Sequence, residues 1–341
     1  MFSLITGANG FIGSHLTRFL IEQGEQVRVL VRPQSDVRSM ERLPVEFAYA
    51  DLRDPHSLSP ALRGVQRVYH VAADYRLWAK NPQEIYESNV TGTRNLLAAA
   101  RQAGIDRFIY TSSVGTLVPP HPRKLPDEQT HLRLRDMIGH YKRSKFLAEQ
   151  EALEAARQGQ PVVIVNPSTP VGPGDWKPTP TGRIILDFLN GQMPAYVDTG
   201  LNFVAVEDVA RGHWLAAERG QVGARYILGD RNLTLKQMLQ ILSSLSGRPM
   251  PRLRLPYAVP FLAALVDSLA SRLLRRQPRI PMEGVRMARH KMFVDSSMAG
   301  RELGFKPSPL EAALARSIRW YSENGYIHQR LRDPAARECA A

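Results

Sequence analysis

A glycine-rich turn stands at the start of the chain, where Thr6-Gly-Ala-Asn-Gly-Phe-Ile-Gly13 follows the apolar run 2–6 and opens the amphipathic stretch 11–23. Glycine lacks a Cβ, so a strand can turn sharply there and the backbone can approach a ligand closely. A helix that begins at such a turn points unpaired N–H groups outward, an arrangement suited to a pyrophosphate. A turn of this kind could be purely structural. Its place directly behind the first strand favours instead a dinucleotide site formed by Gly7, Asn9, Gly10, Phe11, Ile12 and Gly13.

The same alternation continues along the first half of the chain. Short apolar runs at 27–31, 47–49, 68–71, 108–110 and 162–165 read as parallel strands, and the stretches 82–102 and 136–157 carry helical periodicity. Asp54-Pro55 reads as an N-cap followed by proline in the first helical position. Strand and helix in this order predict an α/β fold, a doubly wound parallel sheet of the Rossmann type. Beyond Val165 the texture turns rich in Pro and Gly, which marks a smaller, loop-rich lobe. An apolar strand and a capped helix at 202–219 suggest a return to the first lobe, so the two are interleaved. The expected division is 1–166 and 202–225 for the cofactor domain, 167–201 and 226–328 for the substrate lobe, and 329–341 as a tail. Ser308-Pro309 with Glu311 reads as a capping box that starts a last helix ending near Gly325.

Composition excludes several classes. The 341 residues are 43% hydrophobic and carry a net charge of +13, with Arg greatly outnumbering Lys. Such charge suits nucleic acid, anionic membranes or phosphorylated substrates, but the positive residues look scattered and no basic block interleaves with aromatics, so no nucleic acid is expected. The single cysteine, Cys339, rules out an intramolecular disulfide and any C-x-x-C metal or redox site, and no metal is expected. Met1 runs straight into the first strand, so no secretion signal is expected and the predicted location is cytoplasmic. The longest apolar stretch, 257–266, is too short to span a bilayer. Together with Arg272, Arg275, Arg276 and Arg279 it has the pattern of a helix at an anionic lipid surface, so peripheral membrane contact is weighed against a buried helix around the substrate pocket.

The second strand ends in Val31-Arg32-Pro33, where an NAD-preferring fold usually has an acidic residue for the ribose 2'-hydroxyl. A guanidinium can grip a 2'-phosphate in two-pronged fashion, so Arg32 favours NADP(H), with NAD(H) as the alternative if Arg32 is only a solvated charge. Asp51, followed by Leu52, can accept from the adenine amino group. Ala72 and Ala73, which follow the fourth strand, are small enough for a cofactor to lie against backbone. His70 reads as a packed strand residue.

Tyr141 and Lys145 stand one helical turn apart in Tyr-Lys-Arg-Ser-Lys. Free tyrosine, with a pKa of ~10, is a poor base at neutral pH. Lys145 on the same face and an oxidised nicotinamide would favour the phenolate, and Lys145 can also hold the nicotinamide ribose. Thr111, Ser112 and Ser113 end the fifth strand, on the side that faces the ligand crevice of this architecture. Ser113 is the better candidate to hold the reacting oxygen. No G-x-S-x-G elbow supports a hydrolase.

This ordered set of T-G-x-x-G-x-x-G, strand-end Ser and Y-x-x-x-K resembles the extended short-chain dehydrogenase/reductase family over roughly 1–328. Within it the chain is most similar to hopanoid-associated sugar-epimerase-like and dihydroflavonol 4-reductase-like proteins, on the residues 73–78, 137–145, 165–173, 177–183 and 193–200. The resemblance implies reversible hydride transfer at a carbinol carbon, with Tyr141 as acid or base, Lys145 as its tuner, Ser113 as anchor and Asn89 holding the helix that carries Lys145. It also implies Pro167 and Ser168 beside the nicotinamide, a homodimer, and a substrate of small-molecule or lipid-linked kind, such as a sugar- or polyol-bearing hopanoid intermediate. Tyr75, Trp78, Arg183 and Tyr196 are the candidate substrate contacts, each with core packing as its alternative. Val114-Gly115 stand where sugar dehydratases carry an acidic pair, which disfavours dehydration. Arg32 disfavours an epimerase that retains NAD, so a reductase or dehydrogenase ranks above an epimerase and above a non-catalytic NADP(H) sensor.

Overall fold

The computed structural model describes residues 1–119, 122, 124–274 and 276–328. The tail, Cys339, Arg275 and the side chain of Arg272 lie outside what it describes. In chain order the first elements are β1 (Phe2–Thr6), α1 (Phe11–Glu22), β2 (Gln26–Val31), β3 (Val45–Tyr49), α2 (Leu58–Ala61), β4 (Arg67–His70), α3 (Gln83–Tyr86), α4 (Gly92–Ala103), β5 (Arg107–Thr111), α5 (Gly139–Arg157) and β6 (Val162–Pro167). There follow β7 (Thr169–Val171), α6 (Pro180–Leu189), β8 (Ala195–Val197), β9 (Gly200–Ala205), α7 (Val206–Arg219), β10 (Arg225–Leu228), β11 (Arg231–Thr234) and α8 (Leu235–Ser246). The last are β12 (Leu253–Leu255), α9 (Ala258–Leu273), α10 (Met282–Ala288), β13 (Lys291–Met292), α11 (Ser297–Leu303) and α12 (Leu310–Glu323).

The chain forms two compact units, and the first comprises Met1–Ser168, Val206–Gly229 and Val294–Lys306. Its sheet holds seven strands in the order β10-β6-β5-β4-β1-β2-β3, every pair parallel. Both faces are covered, which is why the strands read as near-continuous apolar runs. On one face Leu4, Val68, Phe108 and Ile164 pack with Leu58 of α2, Leu62 at its C-cap, Leu96 of α4 and Ala148 of α5. On the other, α1 and α7 lie side by side. Strand order reverses between β1 and β4, where Thr6 is level with His70. Ligand crevices in this architecture lie at such a reversal, beyond the strand C-termini.

Three sequence expectations shift. The strand β10, read from sequence as substrate lobe, extends the large sheet by pairing with β6. The helix expected over 82–102 contains one wide turn, Glu87–Thr91, of π type. The segment 294–306, also assigned to the second lobe, belongs to the first unit. There α11 packs on α7 and β10, Ser296 Oγ donates to Gly229 O at 3.2 Å, and Arg219 Nη1 donates to Leu303 O at 2.9 Å.

The second unit comprises Thr169–Ala205, Asp230–Phe293 and the described residues from Pro307 on. In it β9 pairs with β7 and β13 in parallel and with β11 antiparallel. Those pairings hold 202–205 in this unit, so the return to the first unit begins at Val206 and not at Asn202. A core of Ile185, Phe188, Leu239, Leu242, Leu314 and Ile318 joins α6, α8 and α12 to the small sheet. The last helix starts at Leu310 with Pro309 as N-cap, one residue past the Ser308 cap read from the sequence, and Glu311 pairs with Arg231 at 2.5 Å.

Candidate active site

Gly7 has φ 71°, in the left-handed region that glycine tolerates, and a Cβ there would come within 2.6 Å of Ala72 N. A Cβ on Gly13 would stand 2.1 Å from Gly7 O. The turn is therefore as tight as a strand-to-helix dinucleotide loop needs. Gly10 caps α1 with no side-chain hydrogen bond and no acidic residue in the first turn, so the helix end stays positive. Phe11 and Ile12, half-buried, open that helix. Asn9 Nδ2 donates to Asp36 O at 3.2 Å and ties the turn to the segment that follows β2. Arg32, at the end of β2, is exposed. The Asp51 carboxylate binds the Arg53 guanidinium, which lowers its pKa, with Arg32 adding a smaller effect of the same sign. Leu52 packs inward, since a Cβ on Gly92 would stand 2.9 Å from Leu52 Cβ. Ala72 is half-buried and Ala73 exposed, beside the Gly7 turn.

His70 is a packed strand residue, as its sequence context suggested. Nδ1 bonds Thr6 Oγ1 at 2.7 Å and Nε2 bonds Thr93 Oγ1 at 2.9 Å. Burial, helped by the Lys145 charge, pushes its pKa down to about 3, so the ring is neutral.

At the end of β5, Ser113 Oγ accepts from Gly115 N at 3.1 Å and is hydrogen-bonded to the Tyr141 hydroxyl. Burial raises the Tyr141 pKa and the Ser113 bond lowers it. Lys145 Nζ donates to Thr111 O at 2.6 Å and lies 4.6 Å from the Tyr110 ring centre. Burial pushes its pKa down to about 7, opposed by Glu149. The lysine therefore changes charge near neutrality, where an acid–base partner is most useful. Asn89 sits in the π-type turn, and its side chain both accepts from Asp74 N at 2.7 Å and donates to Asp74 O at 2.9 Å. It also donates to Ser144 Oγ at 2.9 Å, which fastens α5 one residue before Lys145.

Glu149 is the residue that sequence reading missed. It is buried at i+4 from Lys145, and it accepts from the Ser112 hydroxyl, from Thr116 Oγ1 at 2.8 Å and from Asn166 Nδ2 at 2.9 Å. Its other oxygen pairs with Arg225 at 3.4 Å. Its place on the face of Tyr141 and Lys145, eight residues after Tyr141, was visible in Tyr141-Lys-Arg-Ser-Lys145-Phe-Leu-Ala-Glu149, but a helical Glu is ordinarily a solvated surface charge. Thr111 Oγ1 turns away to His213 Nε2, at 2.9 Å. Pro167 ends β6, and the next side chain, Ser168 Oγ, is buried with no partner among the described residues. An orphaned buried hydroxyl is costly unless a ligand satisfies it.

Tyr75 and Trp78 are exposed in the first unit. Arg183 is exposed on α6 in the second unit, where burial raises the Asp187 pKa and the Arg183 charge partly opposes that rise. Tyr196 packs against the second unit's core, the packing alternative named for it. Among the described residues no group of three or more His, Cys, Asp or Glu is placed to hold a metal ion.

Residues 3–229 match the NAD dependent epimerase/dehydratase family. The chain belongs to this family. It is 47% identical to "Putative dihydroflavonol 4-reductase" of Synechocystis sp., over 95% of either chain. It is 40% identical to "Sterol demethylase protein B" of Methylococcus capsulatus, over 96% of this chain and all of that one. The crystal structure of gox2253 superposes with a TM-score of 0.85 at 46% identity, covering 95% of this chain and 99% of that one. As an extended short-chain dehydrogenase/reductase of this family, the chain is an NAD(P)-dependent oxidoreductase or epimerase. The turn at Gly7, Gly10 and Gly13 and the orphaned Ser168 fit a nicotinamide dinucleotide.

Proposed function

We propose that the protein is an NADP(H)-dependent reductase or dehydrogenase that interconverts a secondary alcohol and a ketone. The observation that carries this is the Tyr141–Ser113 hydrogen bond one helical turn from a buried Lys145 that titrates near neutrality. A bound nicotinamide supplies the hydride donor or acceptor. Gly7, Gly10 and Gly13 take the pyrophosphate, Asp51 the adenine, and Lys145 and Ser168 the nicotinamide end. Ser113 holds the substrate oxygen beside the Tyr141 hydroxyl. In the reducing direction that hydroxyl gives its proton to the oxygen as the carbon is reduced, and the charged Lys145 stabilises the phenolate left behind.

The reductase among the relatives and the Val114-Gly115 pair support this over dehydration. The family description favours an epimerase as the second reading. The substrate class we propose is a hydroxylated polycyclic lipid, with a sugar- or polyol-bearing hopanoid intermediate as its narrowest form. The sterol-related name of the Methylococcus capsulatus relative supports a polycyclic substrate.

Cofactor stoichiometry separates the readings. With candidate ketones and alcohols, nicotinamide absorbance is expected to change in proportion to product. Product formed catalytically with no net absorbance change would make the protein an epimerase. NADPH is expected to bind at least ~10-fold more tightly than NADH, since a two-pronged guanidinium–phosphate contact contributes about 1.5–3 kcal/mol. Arg32→Ala should erase most of that preference. Equal affinities in the unaltered protein would show that Arg32 does not read the 2'-phosphate.

A further inference from the structure

Within the second unit, α9 turns an apolar face to solvent. Leu262 is 58% exposed, Val266 66%, Leu269 59% and Leu273 85%, and Val259 and Leu265 are exposed beside them. These positions are three and four residues apart, so they form one stripe along the helix, while Ala264 and Ser271 on the opposite side are buried. A contiguous row of large aliphatic side chains in water marks an interaction surface.

The charge around the stripe says what covers it. Residues 250–292 hold nine Arg and Lys against two acids, a net +7 of the chain's +13 within 43 of its 341 residues. Basic residues are spread over the whole sequence, but the excess of positive over negative charge is concentrated here, where acids are few. Arg252, Arg279, Arg286 and Arg289 are exposed. The one acid in α9, Asp267, is neutralised by Arg276 at 2.6 Å and accepts from Ile280 N at 2.9 Å, which folds the chain after α9 back onto the helix. An aliphatic stripe on a helix flanked in the chain by exposed guanidinium groups matches a bilayer with anionic headgroups, where the stripe enters the acyl boundary and arginines of the same segment meet phosphates. A second copy would bring the same excess of positive charge against itself. No helix among the described residues is long and apolar enough to cross a membrane, so contact of this kind lies along the surface.

We propose that α9 is the docking face of this protein for an anionic lipid bilayer. It holds the enzyme parallel to the membrane plane through Leu262, Val266, Leu269 and Leu273, with Arg279 and Arg286 on the headgroups. This does not rest on the reductase reading, because it concerns a surface outside Ser113, Tyr141 and Lys145.

The test is co-sedimentation of the full chain with vesicles of equimolar phosphatidylcholine and phosphatidylglycerol and with phosphatidylcholine alone. Binding to the anionic vesicles at low salt is expected, weaker by at least ~10-fold at about 0.5 M NaCl or with the neutral vesicles. The combined change Leu262→Ser, Val266→Ser and Leu269→Ser keeps the net charge and is expected to weaken binding at least ~10-fold. Those positions are already exposed, so unchanged far-ultraviolet circular dichroism and NADPH affinity are the folding check. Arg279→Ser with Arg286→Ser, a second variant, should flatten the salt dependence. Failure to sediment with anionic vesicles would overturn the proposal, as would a serine variant that binds as well as the parent. A dimer in sedimentation velocity that the serine variant dissolves would assign the face to a second copy and overturn it likewise.

Discussion

Tyr141→Phe is expected to lower kcat by about 10²–10⁴-fold, the range over which a positioned proton donor contributes to catalysis. The change removes one oxygen. It deletes the hydrogen bond to Ser113 and the transferable proton while keeping the ring. NADPH affinity should stay within about twofold, a difference of about 0.4 kcal/mol, since the glycine turn and Arg32 are untouched. Measuring kcat together with cofactor affinity by fluorescence titration separates the two roles. Cofactor affinity falling in step with rate would make Tyr141 a structural residue and remove the basis for the proposed chemistry. Lys145→Met should damage both quantities, since the lysine would serve both the tyrosine and the nicotinamide ribose.

Glu149→Ala should destabilise the first unit by about 3–5 kcal/mol, the cost of breaking a buried ion pair from one side. The alanine leaves Arg225, whose side chain is 13% exposed, without its carboxylate, and leaves Ser112, Thr116 and Asn166 without their shared acceptor. The urea midpoint of unfolding measures this, and a midpoint equal to that of the parent would show that the cluster adds nothing net. Glu149→Gln keeps the shape and tests the electrostatic role. The carboxylate raises the Lys145 pKa against the burial that depresses it, so its removal should lower that pKa further. Activity that depends on charged Lys145 falls as pH rises through this pKa. The alkaline limb of the kcat/KM profile should therefore move to lower pH in Glu149→Gln, and a limb that stays in place or moves upward would show that Glu149 does not act through Lys145.

The sequence by itself determined the large sheet and the order of the candidate site. Six parallel strands were legible because a strand covered on both faces is apolar throughout, and helices between such strands keep a 3.6-residue period. Gly7 and Gly13 were legible because backbone clashes forbid a side chain, a constraint written in residue type. Tyr141 and Lys145 were legible because helical spacing converts i and i+4 directly into proximity. Tertiary structure alone decided the rest, wherever a residue's role depends on a partner far away in the chain. Glu149 looks like a surface charge until Ser112, Asn166 and Arg225 close around it. Four residues at β10 join the large sheet only because β6 offers a free edge, and 294–306 cross to the first unit because β10 and α7 give α11 a surface to cover. The last helix is capped at Pro309 and its Glu311 is paired by Arg231 from another element, a partner no local pattern could name. The same holds for α9, whose apolar residues read more readily as core around a substrate pocket than as surface until the fold left them uncovered. A local pattern fixes period and chemistry, whereas burial and pairing are set by what the remainder of the chain brings alongside.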